Sequence, residues 1–74
     1  MKVPWQDHIE STPGVLRGKP CINGTRTPVD LILGYLAAEK SSDEIIAEFP
    51  DLAREQIAPC LDYARELANF EVAV

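Results

Sequence analysis

The apolar positions of this chain change their spacing near residue 28, which divides it into a strand-like part and a helical part. Upstream they come in short pieces: Ile9 within a weak alternation from His8 to Thr12, then Val15-Leu16, then Cys21-Ile22. Pro13-Gly14 and the run Arg17-Gly18-Lys19-Pro20 separate them, which predicts a small, irregular antiparallel sheet with Pro20 at an edge or bend. Asn23-Gly24 is the dipeptide that accepts positive φ at both centres of a two-residue loop, so Cys21-Ile22 is expected to pair with Thr25-Arg26. A sheet this short is not stable alone and must pack on helices or on the same sheet of a second subunit.

Downstream the period becomes helical. Thr27 reads as an N-cap, with Pro28 at the first helical position and Asp30 near the positive end of the dipole. The first helix is expected from Pro28 to about Lys40, with Val29, Ile32, Leu33, Leu36 and Ala37 on one stripe. Leu31 and Tyr35 add a second apolar face, open to the hairpin, to a dimer contact or to a partner protein. Ser41 followed by Glu44 is a capping box, predicting a short second helix that carries Ile45, Ile46 and Phe49 inward and ends at Pro50. A third helix shows Ile57, Cys60, Leu61, Ala64, Leu67 and Ala68 on one face, out to about Phe70. Pro59 lies inside it and is expected to bend its first turns. Tyr63 to Phe70 exceeds what three short helices need, so this end is expected to pack outside the core. The whole reads as one domain, 1–74, with an arm and β unit over 1–27 and a helical unit over 28–70.

The ordered set Pro13, Gly14, Gly18, Lys19, Pro20, Gly24, Thr25, Arg26, Pro28, Val29, Phe49, Pro50, Asp51 and Leu52 resembles the bacterial and archaeal family catalogued as domain of unknown function 433. The likeness runs from Pro13 to Ala64. It implies a mainly α fold: a three-helix helix-turn-helix core of the homeodomain-like kind, with a small N-terminal antiparallel β-hairpin unit. It also implies an antitoxin that binds and neutralises a PIN-like ribonuclease toxin, with autoregulatory binding of operator DNA as a second role. Two positions depart from the family. Glu39 stands where relatives commonly have Gly, and if that residue ends the first helix with positive φ, a side chain there costs about 1 kcal/mol. Ala53 stands where relatives often have a capping Thr, although Gln56 three positions on is kept; Asp51 is the candidate cap one turn earlier.

Charge sharpens this picture. The net charge is −5, but residues 1–28 hold Lys2, Arg17, Lys19 and Arg26 against Asp7 and Glu10, a balance of +2. Residues 29–74 hold ten acids against Lys40, Arg54 and Arg65, a balance of −7. The basic unit is therefore the better nucleic-acid contact and the acidic helical unit suits a basic protein. Arg17, Lys19 and Arg26, with Arg54 and Gln56 near the start of the third helix, are the nucleic-acid candidates. Arg26 has a structural alternative, pairing with Asp30 or Asp62. Trp5, Leu31, Tyr35, Tyr63, Leu67 and Phe70 are the candidates for a dimer or partner interface, with packing on its own domain the favoured reading for Trp5.

Other classes find less support. Cys21 and Cys60 lie far apart and, with one histidine, offer no zinc spacing; they read as buried small hydrophobes. Gly18-Lys19 lacks the glycine spacing and following hydroxyl of a phosphate-binding loop, and His8 has no catalytic neighbours. Asp43, Glu44 and Glu48 read as solvated helix-start carboxylates. No enzyme, metal or cofactor is expected. With no long apolar run and no signal-peptide core, a cytoplasmic location without a membrane contact is expected. A different class of function remains open, a stand-alone homodimeric helix-turn-helix module that binds DNA or serves as a protein-interaction adaptor. A short basic nuclease encoded beside the chain and co-purifying with it would count against that alternative.

Overall fold

Ile9 and Ile22 stand opposite each other in an antiparallel pair, β1 (Ile9–Glu10) against β2 (Cys21–Ile22), with Glu10 opposite Cys21. The computed structural model describes residues 5–69 and adds three helices: α1 (Val29–Ala37), α2 (Ser42–Glu48) and α3 (Ile57–Ala68). The fold is mainly helical, a three-helix helix-turn-helix core with a small N-terminal sheet. Among the described residues no helix is long and apolar enough to cross a membrane.

The hairpin closes in a different register from the one the Asn23-Gly24 signal predicts. Only Gly24 takes positive φ, at 77°, and Thr25 N–H donates to the Ile22 carbonyl at 3.0 Å, the pattern of a type II turn. That turn does not carry the twist of a two-residue hairpin, so Thr25 and Arg26 stay out of the ladder. The chain rejoins β2 later. Ile22 N–H donates to Thr27 O at 3.1 Å, and Cys21 bridges Pro28. This pairing also displaces the helix start. Thr27, expected as the N-cap, has its carbonyl on the Ile22 N–H instead, and Pro28 takes the cap position, extended at φ −67°, ψ 144° with no side-chain cap bond. Val29 N–H is satisfied by Pro20 O at 2.9 Å instead.

Val15-Leu16 does not form a strand. Leu16, Arg17 and Gly18 all have positive φ (48°, 58° and 80°), one left-handed turn closed by Gly18 N–H to Val15 O at 2.9 Å and Lys19 N–H to Leu16 O at 3.1 Å. The Ser11 hydroxyl donates to Gly18 O and pins the turn from outside.

Helix ends follow the local signals more closely. The capping box is present on both sides: Glu44 N–H donates to Ser41 Oγ at 3.1 Å, and Ser41 N–H to Glu44 Oε1 at 2.9 Å. These bonds from Ser41 hold the Glu44 carboxyl below its ordinary pKa. α1 stops three residues earlier than the expected Lys40, in a Schellman turn. Lys40 N–H donates to Tyr35 O and Glu39 N–H to Leu36 O, each at 3.0 Å, with Glu39 at φ 65°. The family's glycine position is thus a left-handed one, here carried by glutamate. Before α3, a 3-10 turn (Arg54–Gln56) absorbs the start of the helix. Pro59 falls on the third residue of α3, in the first turn, where an N–H would have no intrahelical partner, so it costs no bond within the helix.

All these elements meet in one cluster of Ile9, Ile22, Val29, Ile32, Ile45, Leu52, Ile57 and Cys60, with Leu33, Leu36, Ile46, Phe49 and Tyr63 partly buried against it. Burial pushes the Cys60 thiol up to about 11, so it packs as a neutral side chain. Leu61 breaks the expected stripe, being 50% exposed while its neighbours Pro59 and Cys60 are buried.

Two outcomes follow for stability. Glu39→Gly relieves the left-handed strain and is expected to stabilise by about 1 kcal/mol, raising the melting midpoint by about 4–8 °C for a domain of this size. Because the folded-state pKa of Glu44 is depressed, its contribution is present above the unfolded-state value and is lost as pH falls through the folded-state value. Glu44→Gln keeps an acceptor for the Ser41 N–H and does not titrate, so melts taken between neutral and acid pH should show a flatter acid limb than those of the parent chain.

Candidate functional site

Of the two residues best placed by sequence to read DNA from the start of α3, Gln56 is engaged within the fold and Arg54 is held in a surface ion pair. Gln56 Oε1 accepts the Ala53 N–H at 2.9 Å, replacing half of the capping box that Ala53 cannot complete, and Asp51 makes no cap bond. Gln56 Nε2 donates to Asn23 O at 3.4 Å, which ties the start of α3 to the hairpin turn. Asn23 continues this link: its N–H donates to His8 O at 2.8 Å and its Nδ2 to Asp7 O at 3.0 Å. Arg54 is ion-paired with Asp43 of α2. That pair is exposed on both sides, so it holds Arg54 only weakly.

The basic residues of the hairpin unit spread around its loops. Lys19 pairs with Asp30 at 2.9 Å, the partner considered for Arg26, and Asp62 is taken by Arg65 at 2.9 Å. Among the described residues Arg17 and Arg26 have no ion pair. Arg17 projects from the left-handed turn; Arg26 lines a groove of 520 Å³ together with Glu10 and Asp51, two carboxylates that would oppose a phosphate there.

The apolar candidates divide into those spent on the fold and those left over. Trp5 stacks edge-on against Tyr63 with centroids 4.8 Å apart, and its Nε1–H donates to Glu66 Oε2 at 2.6 Å. Tyr35 packs edge-on against Phe49 at 5.5 Å, joining α1 to the end of α2. Leu31 and Leu67 remain 41% and 64% exposed. Leu31 lies along a shallow apolar groove of 280 Å³ on α1, with Gly34, Tyr35, Ala38 and Lys40. Leu67 forms one wall of a second groove, of 230 Å³, between α1 and α3. Phe70 lies outside the described residues. Leu61 is misplaced by the periodicity, which puts it on the stripe with Ile57 one turn back; its exposure depends on where α1 and the hairpin contact α3.

Replacing Gln56 by Ala leaves the Ala53 N–H without its acceptor and cuts the link to Asn23, an expected loss of about 1–2 kcal/mol in chemical denaturation. Replacing Arg54 by Ala should change stability by less than about 0.5 kcal/mol, since an exposed pair contributes little. Equal losses in the two variants would mean that Gln56 is not the structural member of the pair.

Compared with known proteins, residues 9–64 match the family described as "Protein of unknown function (DUF433)". A crystal structure of a DUF433 member protein from Anabaena variabilis is similar, with 31% sequence identity and a TM-score of 0.75 over 82% of this chain. The chain spans 60% of the length of that protein. Among curated proteins none matches.

Proposed function

The chain belongs to the DUF433 family, and we propose that within it this protein acts as an antitoxin, a protein-binding module that neutralises a PIN-like ribonuclease. The observation that carries the reading is the division of side chains between the start of α3 and the outer surfaces of α1 and α3. Gln56 is committed to capping and to the hairpin and Arg54 sits in an exposed, weak pair with Asp43, while Leu31 on α1 and Leu61 and Leu67 on α3 stay in solvent. A base-reading helix needs free Arg, Asn or Gln near its start, whereas a protein-binding one needs apolar anchors with a polar surround. The helical unit has the second composition. Its excess of acids suits a ribonuclease whose RNA-binding surface is basic, and a bound acidic domain would compete with RNA for that surface.

Self-association is assigned to the α1 groove. Its lining includes Lys40 and no carboxylate, so two copies meeting antiparallel across Gly34 bring no acid against acid. Operator binding is a secondary role in this reading and falls to the loops that carry Arg17, Lys19 and Arg26.

The test is co-expression with a short PIN-like ribonuclease encoded beside the chain. Growth arrest caused by the ribonuclease should be relieved, and the two proteins should elute as one stoichiometric complex. Full ribonuclease activity in the presence of excess chain, with the two eluting apart, would sink the antitoxin reading and leave the stand-alone adaptor.

A further inference from the structure

The groove between α1 and α3 has walls of matched construction. Val29 and Leu33 are one helical turn apart on α1, and Tyr63 and Leu67 one turn apart on α3, so two apolar i, i+4 pairs line it, with Pro20 beside them. Val29 is buried and forms the floor; among the described residues Leu67 is the most exposed of the large apolar side chains. Trp5, stacked on Tyr63 and bonded to Glu66, fixes the α3 wall from behind. At 230 Å³ the space exceeds the roughly 150 Å³ that holds a benzene ring, so it admits one leucine or phenylalanine side chain.

Charge selects the occupant. Residues 29–69 contain nine acids and three bases, and both arginines among the bases are already paired with acids of the same unit. Asp30 and Lys19 line the groove as an ion pair, while Glu66 and Asp62 lie on the α3 side, Asp62 already held by Arg65. A second copy meeting itself here would bring Asp30 and the α3 acids against their own kind, whereas the groove along Leu31 has no carboxylate in its lining. A basic chain would not set acid against acid here. A cleft between two helices with anchors one turn apart takes an amphipathic helix, read through its own i and i+4 apolar positions.

We infer that the α1–α3 groove is the docking site for a basic amphipathic helix of the partner, with one apolar side chain seated against Val29, Leu33, Tyr63 and Leu67. This rests on the protein-binding reading above and names the surface and the partner chemistry for it. Leu61 provides an internal control: it is on the same helix, of the same type and half exposed, but outside the groove.

The probe is an 18-residue amphipathic peptide with leucines at helical spacing and lysines on its polar face. A counterpart with glutamate replacing every lysine controls for charge. The single tryptophan, Trp5, sits against the groove wall and reports binding by its emission. The lysine peptide should bind the parent chain, about tenfold or more weaker to Leu67→Ala, and within about twofold of the parent to Leu61→Ala. The glutamate peptide should not bind. Equal weakening by the two substitutions, equal binding of the two peptides, or no binding of the lysine peptide overturns the groove assignment. So does a parent dimer that Leu67→Ala converts to monomer, since a second copy would then be the occupant. A ribonuclease neutralised equally by parent and Leu67→Ala chains would also overturn it while leaving the antitoxin reading intact. Peptide binding of the expected pattern with no ribonuclease complex would support the groove and remove the antitoxin reading.

Discussion

Everything in this fold depends on burying Ile9 and Ile22 against Ile32, Ile45 and Ile57. Each strand is two residues long, far below what holds an isolated hairpin together. The helices have nine, seven and twelve residues, at or under the length at which a free helix becomes marginal in water. Neither part has an independent source of stability, so the cluster they share makes them fold as one unit. The polar chain from His8 through Asn23 to Gln56 and Ala53 reinforces the same contact, fixing the hairpin turn at the entry of α3.

That dependence limits what the helix-turn-helix can do. In a chain this small, side chains near the start of α3 are drawn into holding the fold, and Gln56 is the clearest case. What remains for a partner is the surface the core does not reach: the outer side of α1 around Leu31, and the distal half of α3 around Leu67. Electrostatics then separates the two surfaces. Ion pairs within the helical unit offset its two arginines, and the remaining carboxylates give that side an acidic field.

Where local and long-range preferences compete, the sheet prevails. Thr27 and Pro28 have the residue types of a helix N-cap and first position, yet they lie beside β2, where the Thr27 carbonyl accepts the Ile22 N–H and Pro28 bridges Cys21. Burying those groups unpaired would cost more than one cap bond contributes. Likewise Asn23-Gly24 makes a turn, as its composition requires, but the chain rejoins β2 only at Thr27, because a type II turn leaves Thr25 and Arg26 out of the ladder.

The legible features were those whose partners lie within one turn of chain. Ser41 and Glu44 satisfy each other, Glu39 takes the left-handed position that ends α1, and the spacing of Ile32, Ile45, Ile57 and Cys60 marks the buried faces. Of the candidate surface, the excess of acids and the outward Leu31 could be read the same way. Tertiary packing decided the rest. Leu61 shares its stripe with Ile57, one turn back, and only the position of α1 and the hairpin against α3 buries one and exposes the other. Gln56 reads as a base-contacting residue until Asn23, 33 positions away, is brought beside it. The groove beside Leu67 is a distance between two helices, and a distance between elements has no signature within either one.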